Sequence, residues 1–276
     1  MTDNRKIEID LFIDGLFRGF GYDFREYNRN HVERRILKFI ENENIASVSM
    51  LQHKMFHEPG YFDKMIRYFS VNVTSFFRDE HFFKTFRKEV IPHLKSFPKI
   101  KIWHAGCSTG QEVYSIAILL EEAGLLDRSH LYGTDFNSDV LSKARHASYS
   151  KEDYEEFVLN YMRCGGEKSP DNYFQHKNDM YTLSSRLKDK VSFHHHNLTT
   201  DHILGEMTVV VCRNVLIYFS RPLQDKVFKL FDESIKRGGM LCLGAQETIH
   251  QSGIEHKYSK KFNASKIYMK NYVRGY

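Results

Sequence analysis

The chain has 276 residues, 41% hydrophobic and 27% charged, enough for one large α/β domain and a small helical one with a buried core. Its 40 basic and 35 acidic residues give a formal net charge of +5, a mild excess compatible with an acidic partner and far from the basic stripe of a nucleic-acid binder. Asp3, Glu8 and Asp10 stand where a signal peptide would carry bases, and the most apolar stretch, 208–219, is interrupted by Arg213 and Asn214. No signal peptide or membrane insertion is therefore expected, and the location expected is the cytoplasm.

Residues 1–71 read as a helical domain. Ile9, Phe12, Ile13, Leu16 and Phe17 recur at three-and-four spacing, and Gly19 and Gly21 are expected to break that helix. A second helix begins near Asn28 and runs through Val32, Ile36, Leu37 and Ile40. Further helical patterns cover 48–56 and 60–70, with Pro59-Gly60 between them. Residues 72–98 form a linker. From 99 to 276 the pattern becomes strand, glycine turn, helix, repeated. Strands are predicted at 99–107, 131–136, 191–197, 209–215, 240–245 and 266–272, with Gly238-Gly239 as the turn that leads into 240–245. Helices are predicted at 111–123, stopped by Gly124, at 138–147, capped by Asn137, and at 222–236, opened by Pro222. The alternation implies a doubly wound, mostly parallel sheet. The polar stretch 165–190 is too long for a plain loop and reads as a small antiparallel β insertion. Cys107, Cys164, Cys212 and Cys242 form no CxxC pair and read as reduced packing residues.

Two features carry chemistry on their own. Ala105-Gly106-Cys107-Ser108-Thr109-Gly110-Gln111-Glu112 follows a strand and opens a helix, the place where a ligand meets strand ends in such sheets. It is neither a Walker loop nor a GxGxxG turn. Asp135, ending the second strand, suits ribose hydroxyls. Together they point to an adenosine-containing cofactor without deciding between a dinucleotide and S-adenosylmethionine. His194-His195-His196 alternate across a strand, so no metal site is expected. Arg25, Arg29, Arg34, Arg35 and Lys38 form a basic cluster, either a solvated face or a docking surface.

Asn72-Val73-Thr74-Ser75-Phe76-Phe77-Arg78-Asp79, then A-G-C-S-T-G-x-E-x-Y-S, then Cys212-Arg213-Asn214-Val215-Leu216-Ile217-Tyr218-Phe219 make the pattern specific. Over nearly the whole chain the sequence resembles the CheR family of chemotaxis receptor methyltransferases. The resemblance implies a class I S-adenosylmethionine-dependent methyltransferase sheet with a reversed last strand, an all-helical N-terminal domain and a small β-subdomain. It implies methylation of glutamate carboxylates on chemoreceptor cytoplasmic helices, with S-adenosylhomocysteine as product. By residue, it implies that Asn72, Thr74 and Arg78 approach the cofactor from the linker. Gly106, Glu112 and Asp135 would hold its polar groups, Asn197 and Leu198 would lie along the adenine, and Arg213 and Asn214 would line the methionine side. Arg78 and Tyr218 would act at the transfer site. The plainer alternatives are an ion pair of Arg78 with Asp79 or Glu80, and a core aromatic at Tyr218. A receptor tail peptide on the β insertion and a monomeric state are further expectations.

The sequence departs from the family at Gln111, Val113 and Met207-Thr208, which touches fine positioning rather than the cofactor. A nucleic-acid methyltransferase is disfavoured, because Arg213-Asn214-Val215 stands where an Asn/Asp-Pro-Pro-Tyr run would be. The remaining alternatives are a carboxyl methyltransferase acting on another protein or a small acid, and a binding module that keeps the cofactor without activity.

Overall fold

The computed structural model describes residues 3–69, 74–260 and 265–272, and the chain divides into two units, Met1–Val71 with Val215–Val227 and Asn72–Asn214 with Phe228–Tyr276. Asn72, expected at the cofactor, lies outside the described residues.

The first unit is built on helices. In α1 (Asp3–Phe20) the residues Ile9, Phe12, Ile13 and Leu16 are buried along one face. Gly19 does not break α1 as expected. The helix runs through it because a Cβ there would stand 2.5 Å from the Phe56 ring, so the glycine admits that ring. Gly21, at φ 77°, is where the helix ends. Asn28 caps α2 (Arg29–Asn42) and Ser47 caps α3 (Val48–His57), each accepting an N–H at 3.1 Å. Arg35 donates to the carbonyls of Tyr68 and Phe69 at 2.8 and 2.9 Å, and so caps α4 (Tyr61–Phe69) at its negative end. The basic cluster thus separates into individual roles. Arg35 is a half-buried cap, Arg25 is held by Asp23 over the Phe17 ring, and Arg29 pairs with Asp10 at 2.7 Å. Arg34 and Lys38 are exposed on the outer face of α2. The segment after Asn214 joins this unit: Asn28 N–H donates to the Tyr218 carbonyl at 2.9 Å, and Ser220 N–H to that of Glu26 at 3.0 Å.

The second unit opens with α5 (Glu80–Thr85), a wide π-helical turn over Phe86–Val90, and α6 (Ile91–Leu94). Phe82, Phe83, Phe86, Val90, Ile91 and Leu94 are all buried, a helical face inside the stretch that sequence reading treated as linker. Then follow β1 (Ile100–Ala105), α7 (Gln111–Glu122), β2 (Ser129–Asp135), α8 (Ser138–His146), β3 (Ser148–Tyr149), α9 (Lys151–Arg163), β4 (Phe174–Lys177), β5 (Met180–Leu183), α10 (Ser185–Lys188), β6 (Val191–His195) and β7 (Met207–Cys212). The chain closes with α11 (Arg221–Ser234), whose start belongs to the first unit, then β8 (Ile235–Leu243), β9 (Tyr258–Ser259) and β10 (Ile267–Lys270).

The main sheet has the order β6-β2-β1-β7-β8-β10-β9. The first five are parallel, whereas β10 runs antiparallel to β8 and β9 to β10. This is the class I methyltransferase sheet with its reversed strand. All six residues of β7 are buried, as an apolar central strand requires. Trp103 on one face meets Phe231 of α11, at 5.4 Å between ring centres, and donates to Thr134 Oγ1 at 2.8 Å. The small antiparallel sheet, β3-β5-β4, is the expected insertion. It draws its first strand from residues before 165, and α9 was not foreseen. Gly238-Gly239 is not a turn before the strand: β8 runs through both, because a Cβ at Gly239 would press to 2.7 Å from the Thr208 carbonyl.

Asp232, with a side chain 6% exposed, is bracketed by Lys257 at 2.6 Å and Lys270 at 3.1 Å. Burial pushes its carboxyl up, but the two ammonium groups outweigh this and hold it below the usual range. Asp232→Asn should lower the unfolding free energy by about 2 kcal/mol at neutral pH. Because the folded carboxyl is the more acidic, its contribution is complete above the unfolded pKa near ~3.9 and is lost as pH falls through the folded value. Denaturant titrations of both proteins should therefore differ at pH 7 and converge in acid.

Candidate functional site

The site grows from the carboxyl ends of β1, β2 and β7 in the second unit. After β1 the chain turns back through Gly106, Ser108 and Gly110, with φ of 78°, 51° and 89°, a left-handed series that glycine tolerates and serine does not favour. The turn is fixed to β2: the N–H groups of Gly106 and Cys107 both donate to the Thr134 carbonyl at 2.8 Å. Ser108 N–H donates to Asp135 at 3.0 Å, and Asn137 N–H donates to its other carboxylate oxygen at 3.0 Å. Burial raises the Asp135 carboxyl above its ordinary range, and the N–H groups of Asn137, Ser108 and Phe136 offset this only in part. The strand beside it continues directly past: His196 N–H donates to the Asp135 carbonyl at 3.1 Å, which sets Asn197 and Leu198 next in line. Leu198 is buried. The Asn197 side-chain oxygen accepts from Thr199 N–H at 3.0 Å and Thr199 Oγ1 at 2.8 Å, an Asx turn that leaves its amide N–H₂ as the group able to face a ligand.

A charged network lies beside the turn. Glu112, in the first turn of α7, takes His104 Nδ1 at 3.1 Å on one oxygen and Arg213 at 2.8 Å on the other. The second arm of Arg213 reaches Asp79, and its guanidinium lies 3.9 Å over the Phe82 ring. The Arg213 side chain is only 2% exposed. Burial pushes the Glu112 carboxyl up, but the His104 hydrogen bond and the Arg213 charge prevail and hold it low, and the α7 N-terminus favours the same charge. Both terminal nitrogens of Arg213 are thus engaged by protein carboxylates. Asp79 pairs with Arg213, and Glu80 with Lys84 at 2.5 Å. Arg78 and Thr74 are half-buried on the stretch leading into α5, and the Arg78 carbonyl faces Arg213 at 3.5 Å. Asn214 follows at φ 61°, its N–H donating to Glu247 at 3.1 Å. Tyr218 belongs to the first unit, where its ring meets His31 edge-on at 5.6 Å.

Asp79, His104, Ser108 and Glu247 were missed by sequence reading. His104 alone left a signal, a polar residue flanked by the apolar Ile102, Trp103 and Ala105 at the end of β1. The thiols of Cys107 and Cys212 beside the site are driven up first by burial and then by neighbouring carboxylates, so they are packing groups.

The donor set suits an S-adenosylmethionine cofactor. Three buried polar atoms, Ser108 Oγ, His104 Nε2 and Arg213 Nε, have no hydrogen-bond partner among the described residues. Carboxylates at Asp79, Glu112 and Asp135 outnumber the buried guanidinium, which suits a cationic ligand.

Sheet order, glycine turn and strand-end acid define a class I S-adenosylmethionine-dependent methyltransferase. Residues 72–265 match the family model described as CheR methyltransferase, SAM binding domain, and residues 7–70 match CheR methyltransferase, all-alpha domain. The chain belongs to the CheR methyltransferase family. A Pseudomonas putida protein named Cher3 is 39% identical over 97% of this chain and 98% of its own. The Listeria monocytogenes chemotaxis protein methyltransferase is 30% identical over 84% and 86%. Among solved structures, a Geobacter sulfurreducens SAM-dependent methyltransferase with S-adenosyl-L-homocysteine is 12% identical over 57% of this chain and 46% of its own, with a TM-score of 0.32.

Asp135→Ala should weaken binding of S-adenosylhomocysteine at least about tenfold, the loss expected when charge-assisted hydrogen bonds go. Isothermal calorimetry measures it, and unchanged affinity would remove Asp135 from the site. Glu112→Gln should cost stability at neutral pH. Since the folded Glu112 carboxyl is the more acidic, that cost should fade as pH falls through its folded pKa. Thermal melts across pH would show it.

Proposed function

We propose that the chain transfers a methyl group from S-adenosylmethionine to glutamate side chains on chemoreceptor cytoplasmic helices, giving glutamate methyl esters and S-adenosylhomocysteine. What carries the reading is the family match over 72–265 together with a relative named chemotaxis protein methyltransferase that covers most of the chain.

When bound, the cofactor supplies an electrophilic methyl group on a sulfonium. A glutamate carboxylate, with a reference pKa near ~4.3, is already ionised at pH 7 and needs no general base. The protein's work is then alignment and exclusion of water. Within this reading Asp135 holds the ribose, and Asn197 and Leu198 flank the adenine. Gly106 lets the cofactor approach the backbone. Glu112 and Asn214 meet the methionine end, while Arg213 keeps Asp79 and Glu112 in place. Asn72, Thr74 and Arg78 come from the segment before α5. Arg78 orients the acceptor carboxylate rather than activating it, since two strong bonds from a guanidinium would blunt the nucleophile. Tyr218 is assigned to the transfer step on the family resemblance alone.

The exposed Arg34 and Lys38 on α2 suit an acidic receptor helix. The edge strand β4 of the small sheet is the proposed seat of a receptor tail peptide. A cytoplasmic monomer completes the proposal.

Radiolabelled S-adenosylmethionine incubated with receptor-bearing membranes should label the receptor band, and mild alkali should release the label as methanol. Alkali-stable label would mean a different acceptor group. No label, with S-adenosylhomocysteine still binding, would mean another substrate or a module without activity.

A further inference from the structure

Beyond the residues assigned above, the second unit holds a buried carboxylate that the reaction does not use. Glu247, 4% exposed, lies just past β8. One oxygen of its carboxylate accepts two backbone N–H groups, that of Gly244 at 2.6 Å and that of Asn214 at 3.1 Å. It therefore ties the end of β8 to the residue that leaves β7. Asn214 is the one held in the left-handed region, at φ 61°, a conformation that asparagine tolerates but that still needs an acceptor for its turned-in N–H. Position 244 is fitted to the same clasp. A Cβ at Gly244 would stand 2.8 Å from the Glu247 oxygen, 2.9 Å from the Asn214 nitrogen and 3.3 Å from the Asn214 side-chain nitrogen. Buried acceptor, left-handed residue and glycine thus form one unit, and each makes sense only with the other two.

We infer that Glu247 is a positioning residue for cofactor binding: its carboxylate sets the backbone angle of Asn214 and so aims the Asn214 side chain. The inference rests on the proposed contact between Asn214 and S-adenosylmethionine, and the test separates the two.

Calorimetric affinity for S-adenosylhomocysteine is measured for the wild type, Glu247→Ala, Glu247→Gln, Asn214→Gly and the double variant Glu247→Ala/Asn214→Gly, with a thermal melt of each. Asn214→Gly keeps the backbone angle accessible and removes the side chain. The expected result is a loss of about tenfold or more in Glu247→Ala, and recovery to within about threefold in Glu247→Gln, which keeps an acceptor oxygen. The double variant should bind no more weakly than Asn214→Gly, since two residues acting through one contact are not additive. If Asn214→Gly weakens binding and Glu247→Ala does not, the positioning role is overturned and the contact stands. If Asn214→Gly leaves affinity unchanged, the contact itself is wrong and the inference goes with it. Additive losses, or a Gln variant as damaged as Ala, would also overturn it. Should Glu247→Ala fail to fold, Gly244→Ala serves instead: its Cβ must displace the carboxylate, and unchanged affinity there would refute the clasp.

Discussion

A single guanidinium holds the cofactor end of the sheet together. Arg213 emerges from β7 into a space it shares with Asp79 before α5, Phe82 within α5 and Glu112 at the start of α7. Burying an arginine is tolerable only when its charge is matched and its N–H groups are directed. Here two carboxylates from distant parts of the sequence supply both. The dependence runs in the other direction as well. Without Arg213, Asp79 and Glu112 would face each other as like charges, and the start of α7 would lose its side-chain tie to the segment before α5. Glu112 also reaches His104 in β1, so the network links one central strand to the end of another.

Backbone strain gathers around the same place. Phe77, Asp79, Ser108 and Asn214 are all non-glycine residues with positive φ. Each is held by something specific. Phe77 donates its N–H to Ser115 Oγ at 3.0 Å, and its ring sits against Phe83 and Tyr161. Ser108 is held by Asp135, Asp79 by Arg213 and Asn214 by Glu247. Strain of this kind persists only where the surroundings over-determine it, and it tends to mark ligand sites. The contrast is Asn178 and Asp179, also at positive φ, which form the two-residue turn between β4 and β5.

The parts of this molecule that could be read from the sequence are those where local chemistry repeats. Alternating strand and helix patterns gave the parallel sheet, and the apolar run of β7 gave its centre. Gly124 and Asn137 marked helix ends correctly because a stop or a cap is decided within a few residues. Gly19 and Gly238-Gly239 misled for the opposite reason: they admit the Phe56 ring and the Thr208 carbonyl, neighbours far away in sequence. At the site, the glycine turn and Asp135 were visible because strand ends announce them. Arg213 was named, but not its engagement with Asp79 and Glu112. Glu247 was invisible, since one more acidic residue after a strand looks like any surface acid until its two N–H partners are seen.

The π-helical turn over Phe86–Val90 holds one more residue per turn than an α-helix would. Upstream of it stand Asp79 and Phe82, which meet Arg213, and downstream stand Ile91 and Leu94, buried in the core. Were the same residues wound as a regular α-helix, the two halves would be rotated against each other by about 100°, the angular step of one helical residue. Side chains in this stretch can be exchanged within limits of size, but its winding cannot tighten without swinging Phe82 away from the arginine. The phase of a helix is here a structural parameter of the site, and the wide turn absorbs the one residue that would otherwise put that phase out.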